Sequence, residues 1–389
     1  MKYNFDEIIE RKGTNSFKHD FLNQIFKRDD LIPMWVADMD FRTPDFIINA
    51  IKKRLNHEIL GYTFKSDQFN NSVVNWIKKR YNWEIKSEWI QFSPGVVPSI
   101  AFCIQAFTKP GDKIIVQPPV YHPFINVIKE NNRNVVFNKL INQENKYRIN
   151  FEELEKSVDE KVKMILLSNP HNPVGRVWNK DELTKLGDFC VKNDIIIISD
   201  EIHADIVFKP NKHIPIAGLN NNFLENTVTL YAPSKTFNMA GLASSVIIVQ
   251  HKKLYKKLEH EIRKLHIGMG NIFGLVGLEV AYSEGEEWLE ELLKYLKDNI
   301  EYIYKYLMDN IPIINFEIPQ ATYLLWLNCK GLGLNNNELS NLFINKIKIG
   351  LNDGVMFGPG GEGYQRMNIG CPKSVISRAL SRIQTKIKA

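Results

Sequence analysis

Between about residues 110 and 250, short apolar runs alternate with longer stretches whose apolar positions recur every three or four residues. The runs 113–117, 134–137, 164–168, 195–199, 228–231 and 246–250 predict strands. Ile195-Ile196-Ile197-Ile198 shows no polar alternation, the pattern of a strand covered on both faces. Segments 123–131 and 180–193 have helical spacing. Strand and helix in alternation predict an α/β unit with a mostly parallel sheet.

Beyond residue 250 the pattern turns helical. Glu286–Asn310 reads as one amphipathic helix with Leu289, Leu292, Leu293, Leu296, Ile300, Ile303 and Leu307 along one side, stopped by Pro312. The tail then mixes strands at 323–327 and 367–369 with a helix at 337–347 and a glycine-rich loop at 358–363. That mixture predicts a second, smaller α+β domain.

With 389 residues, two or three folding units are expected. The 44% hydrophobic and 24% charged content is ordinary globular usage, which excludes disorder and a disulfide scaffold. The formal charge of +6 is spread out, and pairs such as Lys52-Lys53 and Lys78-Lys79 read as solvated helix faces. No nucleic-acid stripe is expected, though the balance suits small anionic ligands. Cys103, Cys190, Cys329 and Cys371 are far apart, which predicts reduced, buried thiols. Without a signal-like start or a run of about 18 apolar residues, a soluble cytoplasmic protein without membrane contact is expected.

Open parallel sheets bind ligands beyond the carboxyl ends of their strands. Three predicted strands are followed there by Asn169-Pro170-His171-Asn172-Pro173-Val174-Gly175, by Asp200-Glu201-Ile202-His203, and by Ala232-Pro233-Ser234-Lys235-Thr236. Each alone reads as a turn or a helix cap; together they bring an amide, a carboxylate and a lysine to one rim. Gly95-Val96-Val97-Pro98-Ser99 precedes a helical run at 100–107, a turn that offers free N–H groups to a phosphate. Arg366, at the edge of an apolar strand, can fork onto a carboxylate. A lysine, a carboxylate and a phosphate cradle describe a site for pyridoxal 5'-phosphate (PLP). The histidines show no zinc spacing and no Gly-x-Ser-x-Gly elbow occurs, so neither a metal nor a serine nucleophile is expected.

These motifs, with Pro33-Met34-Trp35-Val36-Ala37-Asp38-Met39-Asp40-Phe41, Leu351-Asn352-Asp353-Gly354 and the block 357–371, resemble those of fold-type I PLP enzymes of the aminotransferase class I/II superfamily. Within it the chain is most similar to the MalY/PatB-type cystathionine β-lyase (C–S lyase) group, from residue 33 to 372. The resemblance implies a large domain at 51–285 with a mostly parallel seven-stranded sheet and a small domain at 286–389. An N-terminal segment, 1–50, would cover the site and contribute to the small domain. It also implies α,β-elimination of L-cystathionine or related cysteine S-conjugates to a thiol, pyruvate and ammonia, in a homodimer with shared sites. Lys235 is implied as the residue that carries the cofactor, Asp200 as the partner of its ring nitrogen, Asn172 as a donor to its phenolic oxygen, and Tyr121 as the stacking aromatic. Val96, Val97 and Ser234 would hold the phosphate, joined by Tyr62 from the neighbouring subunit. Arg366 would bind the substrate carboxylate under Trp35 and Ala37.

Many class I aminotransferases have a hydroxyl residue three positions before the lysine and an arginine eight after it, where this chain has Ala232 and Ala243. His203 stands where a tyrosine often approaches the phenolic oxygen; tuning the cofactor and packing beneath it are both open roles. These departures favour the lyase over the alternative, an aminotransferase. A non-catalytic regulator is disfavoured, because such proteins usually add an N-terminal DNA-binding domain and the enzyme-like pattern begins within the first 35 residues.

Overall fold

The computed structural model describes residues 2–143 and 146–388. Among them, seven strands form one sheet: β1 (Ile90–Ser93), β2 (Lys113–Val116), β3 (Asn134–Phe137), β4 (Val162–Ser168), β5 (Ile196–Asp200), β6 (Thr227–Tyr231) and β7 (Ser245–Ile248). Their order is β1-β7-β6-β5-β4-β2-β3. Every neighbouring pair from β6 to β3 is parallel, and only β7 runs against its two neighbours. Six of these strands match predicted apolar runs. The seventh, β1, escapes the pattern because it is four residues long and half polar, Ile90-Gln91-Phe92-Ser93.

The apolar runs lack alternation because both faces are covered. On β2, β4 and β5, Ile114, Val116, Met164, Leu166 and Ile198 enter one cluster. Their intervening neighbours Ile115, Ile165, Leu167 and Ile197 enter another on the opposite face. Helix α1 (Val96–Phe107) and α2 (His122–Glu130) pack on the first face, and α3 (Lys180–Lys192) on the second. Helix α1 starts four residues before the predicted run, directly after Gly95, since Pro98 falls in its first turn, where no N–H is needed.

Helix α4 (Glu286–Asn310) has the predicted bounds and buries Leu289, Leu292, Leu296, Ile300, Ile303 and Leu307 in a third core, which also contains Met34, Met39 and Ile369. Beside it lies a three-stranded antiparallel sheet of Leu324–Asn328, Tyr364–Asn368 and Asn352–Asp353. The N-terminal segment joins this region through Ile32–Pro33, which pairs in parallel with Ile349–Gly350. One expectation needs correction. The helix at 337–347 is α-helical only over Asn336–Asn341 and widens into a π turn at Leu342–Ile347. Its buried residues Leu339, Phe343 and Ile347 are spaced by four. Such a row drifts by roughly 40° per step on an ideal α-helix, and a wider turn keeps it on one face.

Candidate active site

Strands β4, β5 and β6 end in register, Ser168 beside Asp200 and Asp200 beside Leu230. The three predicted motifs therefore emerge at one edge. With the N-terminus of α1 they enclose a cavity of about 220 Å³ lined by Ala37, Val96, Val97, Tyr121, Asn172, Asp200, His203, Ser234 and Lys235, among others.

Lys235 follows the turn that leaves β6, and its Nζ donates to the carbonyl of Ala37 at 2.7 Å. Burial pulls its ammonium down to about 8, with Asp38 and Asp200 opposing and Arg366 adding to the effect. Ala37 is held in place by its own segment. Its carbonyl also accepts from the Tyr323 hydroxyl at 2.9 Å, and Arg11 and Lys18 pin Asp38 and Asp40 on either side of Met39.

Asp200 closes β5. Among the described residues its carboxyl accepts one hydrogen bond, from the Ile202 N–H at 3.1 Å, and pairs with no cation. Burial pushes it up to about 7. A carboxyl this bare is costly unless a cation arrives to share its proton. His203 is buried with no partner for Nδ1, and burial with the nearby cations Lys235 and Arg366 drives its imidazole down to about 3.

Arg366 stands on the strand Tyr364–Asn368 and is buried. Its guanidinium donates to Asn172 Oδ1 at 3.1 Å, to the Trp35 carbonyl at 2.9 Å and to Asn352 Oδ1 at 2.6 Å, all neutral acceptors, and its Nε has none. Burial lowers it to about 10. A buried arginine whose acceptors are all neutral is matched to an incoming carboxylate. Arg366 and Trp35 line an adjoining cavity of about 520 Å³, which shares Ala37, Tyr121 and Lys235 with the first.

Tyr121 caps α2 and borders both cavities. Val96 and Val97 open α1, where first-turn N–H groups lack intrahelical acceptors. Tyr62 alone among the expected site residues lies elsewhere, fully exposed on the surface of the chain. Two contributors were missed from sequence. Ser244 lines the first cavity with a buried hydroxyl that has no partner. Ser168 Oγ accepts from the Asn172 backbone N–H at 3.2 Å and so fixes the turn that carries Asn172. A hydroxyl one residue past Ala243 was the available sign of the first; nothing local marks the second.

The groups lining the first cavity match PLP part by part. A helix N-terminus and the Ser244 hydroxyl suit its phosphate, the Asp200 carboxyl its ring nitrogen, and the Lys235 amine its aldehyde carbon. The family model described as aminotransferase class I and II matches residues 29–383. The chain belongs to that family. It is 41% identical to cystathionine beta-lyase PatB of Bacillus subtilis (strain 168), with 99% of this chain and 100% of that protein covered. Among solved structures, cystalysin from Treponema denticola, which contains PLP, superposes with a TM-score of 0.96 at 35% identity, covering 100% of this chain and 99% of that one. A PLP-bound protein from Clostridium difficile 630 that carries a provisional aminotransferase name gives 0.97 at 47% identity, over 99% and 100% of the two chains.

Proposed function

We propose that this chain is a PLP-dependent C–S lyase that carries out α,β-elimination on L-cystathionine or related cysteine S-conjugates. The observation that carries the reading is the convergence, around two adjoining cavities, of a half-buried lysine amine, a buried carboxyl without a cation and a buried arginine bonded only to neutral acceptors. Full-length similarity to cystathionine beta-lyase PatB supports elimination over transamination.

Bound PLP supplies an electron sink that makes the substrate Cα proton acidic and lets a Cβ substituent depart. The protein supplies the rest. Arg366 holds the α-carboxylate, which fixes where the Cα–H bond points. Lys235, whose ammonium is already lowered to about 8, takes that proton as a neutral amine. Asp200, with its own carboxyl raised to about 7, would hold a proton on the ring nitrogen, and pairing with that cation would restore its charge. Tyr121 would stack on the ring, Asn172 would donate to the phenolic oxygen, and Val96, Val97, Ser234 and Ser244 would hold the phosphate. The Cβ–S bond breaks with its electron pair leaving on sulfur, which gains a proton. One water then completes the three-carbon fragment to pyruvate and ammonium.

The working unit is a cytoplasmic homodimer in which Tyr62 reaches the partner's phosphate. Support comes from the exposed apolar run Ile59, Leu60, Tyr62 and Phe64, and from four buried cysteines, all unbridged, which suit a reducing compartment. Among the described residues, no helix is long and apolar enough to cross a membrane.

The test is pyruvate release from L-cystathionine by PLP-loaded protein without added keto acid. Steady multiple turnover is expected. Turnover that appears only when a keto acid is added identifies an aminotransferase instead, the reading that the Clostridium difficile protein's name favours.

A further inference from the structure

One short segment touches both functional cations through its backbone. From residue 35 to 39, every carbonyl accepts from a side chain elsewhere in the chain. Trp35 accepts from Arg366, Val36 from Asn368, and Ala37 from Lys235 and Tyr323. Asp38 accepts from Asn368 and Lys18, and Met39 from Arg11 and Asn238. Lys235 and Arg366, which the reaction uses, thus meet carbonyls two residues apart on one strap. Arg366 and Asn368 are also two apart on the strand Tyr364–Asn368, and so grip the strap from one face.

The strap is fixed in turn by an ion cluster. Arg11 forks onto Asp38 at 2.6 and 3.3 Å and reaches Asp40 at 2.7 Å. Lys18 is only 1% exposed, and its Nζ meets Asp40 at 2.7 Å and stands 3.8 Å from the Asp38 carboxylate. His19 adds a ring nitrogen 3.1 Å from Asp40. Ion pairs this shielded return little net stability, because desolvation offsets their attraction. What they fix is position, since a forked guanidinium and a buried ammonium each admit few arrangements. The Ala37 carbonyl beside them is therefore held where it takes one N–H of the Lys235 amine. That bond constrains where the lone pair of the neutral amine points, which is the geometry proton transfer depends on.

We propose that Lys18, Arg11 and Asp38 are positioning residues for the reaction, which act through the strap 35–39 to aim the Lys235 amine at the substrate Cα proton. The inference rests on Lys235 as the base and Arg366 as the carboxylate site. It does not depend on which group leaves from Cβ.

The test is exchange of the Cα proton of L-alanine in heavy water by PLP-loaded protein, followed by NMR. Lys235 takes the proton, equilibrates with solvent and returns a deuteron, so nothing is oxidised and no group leaves. Lys18→Met is expected to lower kcat for exchange by about 10–100-fold, the scale for a misplaced reacting group. KM should stay within about threefold, because Arg366 keeps Trp35, Asn172 and Asn352. A second readout is the pH midpoint of the cofactor's visible band, which follows the charge on the Lys235 nitrogen. Asp38, Asp200 and Arg366 are the charged groups that act on that nitrogen. Loss of the Lys18 cation leaves Asp38 and Asp40 undercompensated and raises the midpoint. Asp38→Asn keeps the shape, removes the charge, lowers the midpoint and also lowers kcat. Midpoints that move apart together with a fall in kcat support the proposal. Unchanged kcat overturns it, whatever the melting temperature, and so does a fall in kcat with both midpoints unmoved. Asp38 is 22% exposed at its side chain, so Asp38→Asn carries the test alone if Lys18→Met does not fold. Wild-type exchange without pyruvate from L-cystathionine removes elimination and leaves this inference standing, whereas no wild-type exchange removes both.

Discussion

Asp200, Glu201 and Asp205 lie within six residues of one another, all buried, yet they occupy two different kinds of surroundings. Asp200 faces the cavity with one N–H bond and no cation. Behind it, Glu201 accepts from Ser199, Tyr231 and His213, the last at 2.6 Å. Asp205 accepts from Trp76 at 2.9 Å, Thr236 at 2.8 Å and Tyr81. The rear acids have donors on both carboxylate oxygens and hold the loop that presents Lys235, whereas the front acid is left for a ligand to complete. Buried charge therefore marks a ligand site here only where its partners are missing.

Three variants sharpen or break that contrast. The largest effect is expected at the cavity rim. Lys235→Ala should lower pyruvate release by about 10²–10⁴-fold, the range for loss of a positioned base, without a change in circular dichroism. Retained activity would remove Lys235 from the chemistry.

Next comes the bare carboxyl in the apoprotein. Its pKa is raised from 3.8 to about 7, so the folded state binds the proton more tightly than the unfolded one. The resulting stabilisation is full below about pH 4 and fades as pH rises through about 7. Asp200→Asn is neutral throughout. Its apoprotein should gain on the wild type by about 2–3 kcal/mol between about pH 5 and pH 8 in urea unfolding, at about 1.4 kcal/mol per unit. A flat difference across that window would mean the carboxyl has a partner.

The smallest effect on turnover is expected behind the site. Asp205→Asn strands donors in the interior and should cost about 1–3 kcal/mol of stability while kcat stays within severalfold. A large fall in kcat at unchanged melting temperature would place Asp205 in the catalytic machinery and erase the distinction.

Local pattern carried much of this reading. Six strands of the large sheet, the bounds of α4 and the strand-end positions of Asn172, Asp200 and Lys235 are visible in the order of residues, since apolar periodicity and strand termini are local properties. The phosphate-facing turn at Gly95 was legible as well, although the helix starts earlier than its apolar run. Four features were not: the half-polar strand β1, the π turn at Leu342–Ile347, the orphaned Ser244 hydroxyl and the second cavity beside Arg366.

What the sequence determined by itself is the sheet and the chemical groups along its edge, because each strand's burial and each turn's composition are written in neighbouring residues. Tertiary structure alone decided which of those groups remain without partners. Arg366 meets the Trp35 carbonyl across 331 residues of chain, and Lys235 meets that of Ala37 across 198. The same closure walls the second cavity with side chains from both ends of the sequence. Unlike periodicity, the partnering of a buried charge depends on every segment packed against it, so it exists only once the chain has folded.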